Sequence, residues 1–309
     1  MSDDNSSNLR ALEALMDDFF SPGTTNARKA EIEKLLANFS GQSAAWRDCL
    51  YFLANTNNHF VCMFSLTTLE TFIQKRWVGM LGADRAEIRT NLNSFLFQHH
   101  TTAPQFIRNK LIKLIVDIAR CDWPHFYPEF FSQMMELVGG SGAGRELGLA
   151  MLLTTSEELA TPRQDLSTSR AAELRRLMGG QAGAVVAALA TTLERALEGE
   201  GGVAGRTPPP SPSLSHDSED SNSMDGLGVT HHTPALLHAA SLQVLSNCRK
   251  ADGVQPGNRA AAALALRCLT HLLSWADPTV TVTSRLIHTV FRYVSFELRN
   301  QVDCYFFMI

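Results

Sequence analysis

The run Gly139-Gly140-Ser141-Gly142-Ala143-Gly144 is where this sequence comes nearest to a phosphate-cradling loop. Such a loop needs a G-K-[ST] ending, whose lysine and hydroxyl meet phosphate and magnesium, and a strand before it. Neither is present, so the run predicts a flexible connector between two helices. Two pairs, His99-His100 and His231-His232, offer imidazole nitrogens to a metal. Adjacent residues on a helix cannot both aim at one ion as an i, i+4 pair can, so these pairs read as a helix end and a loop feature. Asp17-Asp18 and Glu157-Glu158 supply carboxylates, but adjacent positions face different sides of a helix and read as solvated surface. Serines, histidines and aspartates are plentiful without a nucleophile elbow to organise them. Cys49, Cys62, Cys121, Cys248, Cys268 and Cys304 are scattered, without a C-x-x-C pair. They read as reduced, buried thiols rather than a zinc or disulfide framework. No catalytic residue, metal site or cofactor is predicted, and the chain reads as a protein that is not an enzyme.

Other residues are spaced for contact. Within Phe106–Ile118, Lys110, Lys113 and Asp117 stand at three-and-four spacing, away from the stripe of Ile107, Leu111, Leu114 and Ile118. Glu70 and Gln74 lie likewise on Phe60–Trp77. In a stack of helix pairs the second helix of each pair lines the inner wall, where partners dock. These five residues are therefore partner-binding candidates, with a plain solvated face as the other reading. Thr207-Pro208 and Ser211-Pro212 suit a proline-directed kinase, and Ser218 and Ser221 sit among acids. A phosphate there would add about −1.5 to −2 charge to an acidic loop; a spacer without regulation is the alternative.

The elements that must position these residues are helices. Leu9, Leu12, Leu15 and Phe19, then Ile32, Leu35, Leu36 and Phe39, recur at helical spacing on either side of Ser21–Asn26, a turn ending in N-cap candidates. Further pairs are Ala44–Leu53 with Phe60–Trp77 and Ala86–Phe97 with Phe106–Ile118, followed by Tyr127–Val138, Leu147–Leu159 and Ala171–Leu197, the last broken near Gly179-Gly180. No stretch alternates with period two between hairpin turns, so the fold class is all-α. Phe60–Trp77 carries two apolar stripes, one of Val61, Phe64, Thr68 and Phe72, the other of Leu66, Leu69, Ile73 and Trp77. Such a helix must be covered on two sides. Short connections recurring at about forty residues point to stacked HEAT-like pairs; a compact helical bundle would show similar stripes.

Composition limits the rest. The chain has 309 residues, 45% of them hydrophobic and 19% charged, with a net charge of −4, which is the profile of a core-forming protein. A pI near 6.2 argues against a broad basic surface for nucleic acid. No apolar run reaches the roughly 20 residues of a membrane span, and the polar, acidic start is unlike a signal peptide, so membrane insertion is not expected. Residues 1–198 form one helical region. Residues 199–233, rich in Gly, Pro, Ser and acids, read as a disordered loop. Helices resume across 234–300, and residues 301–309 form an apolar tail where a solenoid would carry a polar cap. The tail reads as a chain interrupted before its natural finish.

Arg108-Asn109-Lys110-Leu111, Ile115-Val116-Asp117-Ile118 and Asp122-Trp123-Pro124-His125-Phe126-Tyr127 resemble the third-repeat region of importin-β-type transport receptors. Pro124 and Pro128 forbid helix continuation and permit a new first turn, while Trp123 can plug the junction between pairs. Leu9–Glu13, Trp46–Leu53, Thr154–Ala160, Pro162–Ser167, Thr207–Pro212 and Ala265–Trp275 resemble the amino-terminal part of an export receptor in that family. The likeness runs over about residues 9–275, leaving Gly139–Gly144 and Ser213–Gly257 without a convincing match. Trp46, Trp123 and Pro124 are expected to be structural.

The resemblance implies a HEAT-like solenoid that binds Ran in its GTP form together with cargo in the nucleus and releases both in the cytoplasm. It implies a shuttling protein with profilin–actin as its cargo class and nuclear pore proteins as a further partner. The family's Ran-binding amino-terminal domain maps to about residues 30–97. Ran contact is expected on the inner helices Arg28–Ala37, Cys62–Gln74 and Lys110–Asp117, which adds Arg28 and Glu31 to the candidates. The family's receptors are several times longer than this chain and use later repeats for cargo as well. A HEAT-repeat scaffold indifferent to Ran's nucleotide is the competing reading, and a hydrolase the distant third.

Overall fold

A computed structural model of the chain describes residues 2–160, 166–198 and 256–306. The region 199–233 with Thr207, Ser211 and His231-His232, and the first part of the helical region expected across 234–300, up to residue 255, lie outside them. Every regular element among the described residues is helical: α1 (Ser2–Phe20), α2 (Asn26–Ser40), α3 (Ala45–Asn55), α4 (His59–Arg76) with a 3-10 turn (Trp77–Gly79), α5 (Gly82–His99), α6 (Gln105–Asp122), α7 (Phe130–Gly139), α8 (Gly142–Ala160), α9 (Thr168–Glu198), α10 (Pro256–Trp275), α11 (Pro278–Thr281) and α12 (Ser284–Phe306). The chain divides into two compact units, one of residues 1–136 and 150–161, the other of residues 137–149 and 162–309.

Capping chemistry sets the helix starts in the first unit. Thr25 accepts from the Arg28 amide to open α2, and Asn58 accepts from the Phe60 and Val61 amides to open α4. The pairs α1–α2, α3–α4 and α5–α6 pack as hairpins. First helices touch first helices (α1 with α3, α3 with α5) and second helices touch second helices. Thus α4 packs on α6, and on α2 through Phe39 and Phe64 and a 3.1 Å contact between the Ser40 and Thr68 hydroxyls. That layered order is a stack of HEAT-like hairpins; a bundle closed around one centre would not repeat it. The two stripes of α4 explain its place. Val61 joins Leu9, Leu12 and Met16 of α1 and Phe52 of α3 in one buried cluster, while Leu66, Leu69 and Ile73 are buried as well. Cys49 and Cys62 lie buried in the α3–α4 hairpin, where burial pushes their thiols up to about 12 and about 11.

Three details differ from the sequence reading. Helix α7 begins at Phe130 instead of Tyr127, because a residue before a proline is forced out of the helical region and Pro128 follows Tyr127. The expected break at Gly179-Gly180 is absent, and α9 runs through it. Two glycines cost a helix about 1 kcal/mol each; the buried line Leu174, Met178, Ala182, Val185, Leu189 and Leu193 outweighs that. Cys121 is exposed, unlike its buried counterparts.

In the second unit α9 packs against α10, α11 and α12. Arg285 of α12 pairs with Glu194 of α9, and Thr289 donates to the same carboxylate at 3.0 Å. The glycine-rich connector is tight, with only Gly140 and Ser141 separating α7 from α8. Gly142 sits at φ +55°, a conformation that favours glycine. Gly148 lies so close to Leu137 and Val138 that an added Cβ would come within 2.6 Å of the Val138 amide nitrogen. Arg145 donates through Nε to the Gly140 carbonyl at 2.9 Å, and Arg195 donates to the Gly139 carbonyl at 3.0 Å. The turn offers carbonyls met by cations at a helix C-terminus, the reverse of a phosphate cradle.

Candidate partner-binding site

Helix α6 is the axis of the candidate site. Ile107, Leu111, Ile112, Leu114, Ile115, Val116 and Ile118 are all buried, so the helix is enclosed on most sides and few side chains reach solvent. Lys110 and Lys113 are two that do. Lys110 pairs with Glu70 of α4, and each side chain keeps 21% exposure. Lys113 donates to both oxygens of Asp117 at 2.6 and 2.7 Å and lies 3.5 Å from Glu158 of α8. Arg120 holds Asp117 from the other side at 3.1 Å. The result is a row of paired charges that joins α6 to α4 through Glu70 and to α8 through Glu158.

The structure thus brings Glu70, Lys110, Lys113 and Asp117 together. Gln74, one turn beyond Glu70, is exposed. Asp117 does not belong to a solvated strip: it is 6% exposed and engaged by Lys113 and Arg120. Arg28 and Glu31 stand elsewhere, at the α1–α2 turn. There Arg28 donates to Asp18 at 2.9 Å and to Glu31 at 3.2 Å. The hydrogen bonds from Arg28 and Thr24 hold the Asp18 carboxyl below the usual carboxylate range. Of the acids expected on solvated surface, Asp18 keeps 36% exposure while bonded across the turn to Arg28, whereas Glu158 is buried beside Lys113, because its partner comes from α6. Nothing local marks Glu158, since its partner lies on another helix. Arg120 sits at i+3 from Asp117, a spacing that does signal the pair.

A second ionic cluster anchors the end of α6. Asp122, 1% exposed, accepts from Trp77 Nε1 at 3.0 Å, Arg89 at 2.8 Å and Arg85 at 3.4 Å. Next to it Trp123 is buried and stacks on Phe131 with ring centroids 5.6 Å apart, and the Trp123–Pro124 bond is cis. Tyr127 is buried and accepts from the Asn93 amide at 2.8 Å; burial pushes its hydroxyl pKa up. Trp46 is buried in α3, with the Arg47 guanidinium 4.3 Å from its ring centroid. His99 and His100 end α5, and His100 Nδ1 lies 3.0 Å from the Phe97 carbonyl. Among the described residues no group of three or more His, Cys, Asp or Glu side chains could hold a metal, and no helix is long and apolar enough to cross a membrane.

Residues 32–98 match the family described as importin-beta N-terminal domain, and residues 104–213 match the family described as exportin 1-like protein. Exportin-6 of Mus musculus is 44% identical over 288 residues and exportin-6 of Homo sapiens 45% over 288, each alignment taking in 93% of this chain. Exportin-6 of Danio rerio is 42% identical over 294 residues, or 95% of the chain. The chain spans 24% of the length of each of these relatives. Layered hairpins, the two domain matches and these identities lead to one conclusion: the chain belongs to the importin-β/exportin family, in its exportin-6 branch.

Proposed function

We propose that this chain acts in a nuclear export receptor, binding Ran in its GTP form and taking part in carrying a profilin–actin class cargo from nucleus to cytoplasm. The observation that carries the proposal is the exportin-6 likeness extending across 93% of the chain. The second helices α2, α4 and α6 provide the wall that Ran would meet. Lys110 and Glu70, each half-buried and paired with the other, can exchange that partner for a protein's charges, while Lys113 would do so only by leaving buried Asp117 to Arg120. Arg28 and Glu31 on α2 offer a second contact region, and exposed Gln74 a neutral one, one turn beyond Glu70 on α4.

No bond needs to be made or broken by the protein. Ran and cargo would each favour the same arrangement of hairpins, so each raises the other's affinity, with couplings typically of about 1–3 kcal/mol. Hydrolysis on Ran then releases both, which gives the protein a shuttling distribution between nucleus and cytoplasm. Nuclear pore proteins are a further expected partner.

Immobilised chain should retain Ran locked in the GTP form above a GDP-form control, and Lys110→Glu/Lys113→Glu should lower that retention. Adding profilin–actin reports whether cargo coupling is present in this length of chain. Equal retention of the two nucleotide forms would favour a HEAT-repeat scaffold and overturn the Ran reading.

A further inference from the structure

Two arginines of the second unit converge on the turn between α7 and α8 with no acid paired to either. Arg145, in the first turn of α8, donates through Nε to the Gly140 carbonyl at 2.9 Å and through Nη2 to the same oxygen. Arg195, in the last turn of α9, donates through Nη1 to the Gly139 carbonyl at 3.0 Å and reaches the Gly140 carbonyl at 3.5 Å. Both guanidiniums therefore meet at one carbonyl oxygen. Among the described residues neither forms an ion pair. Glu194, beside Arg195 in sequence, is bound by Arg285 and Thr289. Glu136, Glu146 and Glu198, the other acids close in sequence, pair with neither arginine. Helix α10, packed on α9, carries no acid, and Glu297 of α12 is buried beside Tyr293 and Arg259. Arg145 is 8% exposed, and burial, with the charge of Arg195 next, pushes its pKa below the ordinary arginine value.

A fixed pair of cations with spare donors selects an anion. The carbonyls hold both side chains in place, yet leave Arg145 Nη1 and Arg195 Nε and Nη2 without an acceptor among the described residues. Residues 139–143 and Arg195 are exposed, so the turn is open to solvent. Helix α8 starts at Gly142, and its first amides add positive potential at the same turn. The backbone there presents carbonyls and cannot cradle a phosphate itself; the guanidiniums held by those carbonyls can. Two planar forks suit a phosphate monoester, which offers three acceptor oxygens and about −1.5 to −2 charge to the two cations. We propose that Arg145 and Arg195 form a binding site for the phosphate of a phosphorylated serine or threonine. The chain holds candidates of its own, since Thr207-Pro208 and Ser211-Pro212 follow α9, the helix that carries Arg195. A phosphate tethered that closely is presented at about millimolar effective concentration. A phosphorylated partner offers the same chemistry from outside. The site belongs to the second unit, whereas Lys110 and Glu70 belong to the first, and it does not rest on the Ran reading.

The test is fluorescence anisotropy on the full, unphosphorylated chain with labelled peptides spanning residues 203–215. Two are phosphorylated, one at Thr207 and one at Ser211, and a third is unmodified. At least one phosphorylated peptide should bind about tenfold or more above the unmodified one, and added salt should weaken it. Arg195→Gln, at an exposed position, should lower that affinity about tenfold or more. Arg145→Lys keeps the charge but loses the fork, and should also weaken binding. Circular dichroism on each variant separates lost binding from lost fold. Phosphorylating Thr207 and Ser211 of the chain itself should block the added peptide, which assigns the phosphate to this chain. A site still open after that modification assigns the phosphate to a partner, and both results uphold the site. Equal binding of all three peptides, or unchanged affinity in Arg195→Gln, overturns the proposal. So does inorganic phosphate that competes as well as the phosphopeptide, which would leave general anion binding only.

Discussion

At its C-terminal end α6 holds Asp122 at 1% exposure under two arginines and a tryptophan; three turns earlier it holds Lys110 against Glu70 with both side chains 21% exposed. Both are ion pairs that tie α6 to a neighbouring helix. In the first, water is excluded, and removing one partner strands buried charge. In the second, water competes with the pair at every moment and little net stability results. Burial therefore separates a charge that fastens the hairpins from a charge that remains available to another protein, even on one helix. Lys113 is intermediate, with a side chain 26% exposed reaching Asp117, whose side chain is only 7% exposed.

Substitutions along this series should grade with burial. Asp122→Ala should destabilise the first unit by about 3–5 kcal/mol, read as faster hydrogen exchange through α5 and α6, because two guanidiniums and an indole N–H lose their acceptor. A loss below about 1 kcal/mol would erase the distinction between the two ends. Lys113→Ala should cost about 1–3 kcal/mol by the same measurement, since a largely buried carboxylate loses its shortest partner while Arg120 remains. A double-mutant cycle on Glu70 and Lys110 should give a coupling of only about 0.2–1 kcal/mol, fading at about 1 M salt. The smallest effect belongs to the Arg28–Asp18 pair, the most exposed of the series. Asp18 has its folded pKa depressed, so its contribution is complete above the ordinary carboxylate value of about 3.9 and is lost as pH falls through the lower folded value. Thermal melts of wild type and Asp18→Asn should therefore differ near neutral pH and converge in acid.

Much of this arrangement is legible in sequence because it is local. Apolar residues at three-and-four spacing give the helices, the doubled stripe of Phe60–Trp77 announces a helix covered on two sides, and Lys113 with Asp117 is an i, i+4 pair. What escapes is non-local. Asp122 meets Arg85 and Arg89 only once α5 and α6 pair, and Trp77 only once the preceding hairpin stacks on them; Glu158 meets Lys113 from a different helix. Asp117 is 6% exposed, which its spacing within α6 does not reveal. Gly179-Gly180 misled in the opposite direction: local propensity predicted a break, and tertiary burial along α9 overrode it.

The buried thiol of Cys49, raised to about 12, gives the α3–α4 hairpin a chemical clock of its own. At neutral pH almost none of it is thiolate, the only form that alkylating reagents capture. Iodoacetamide should therefore mark Cys49 only in molecules whose hairpin has momentarily come apart. The labelling rate would time that breathing directly, and a ligand that clamps the hairpin would announce itself by slowing the stain.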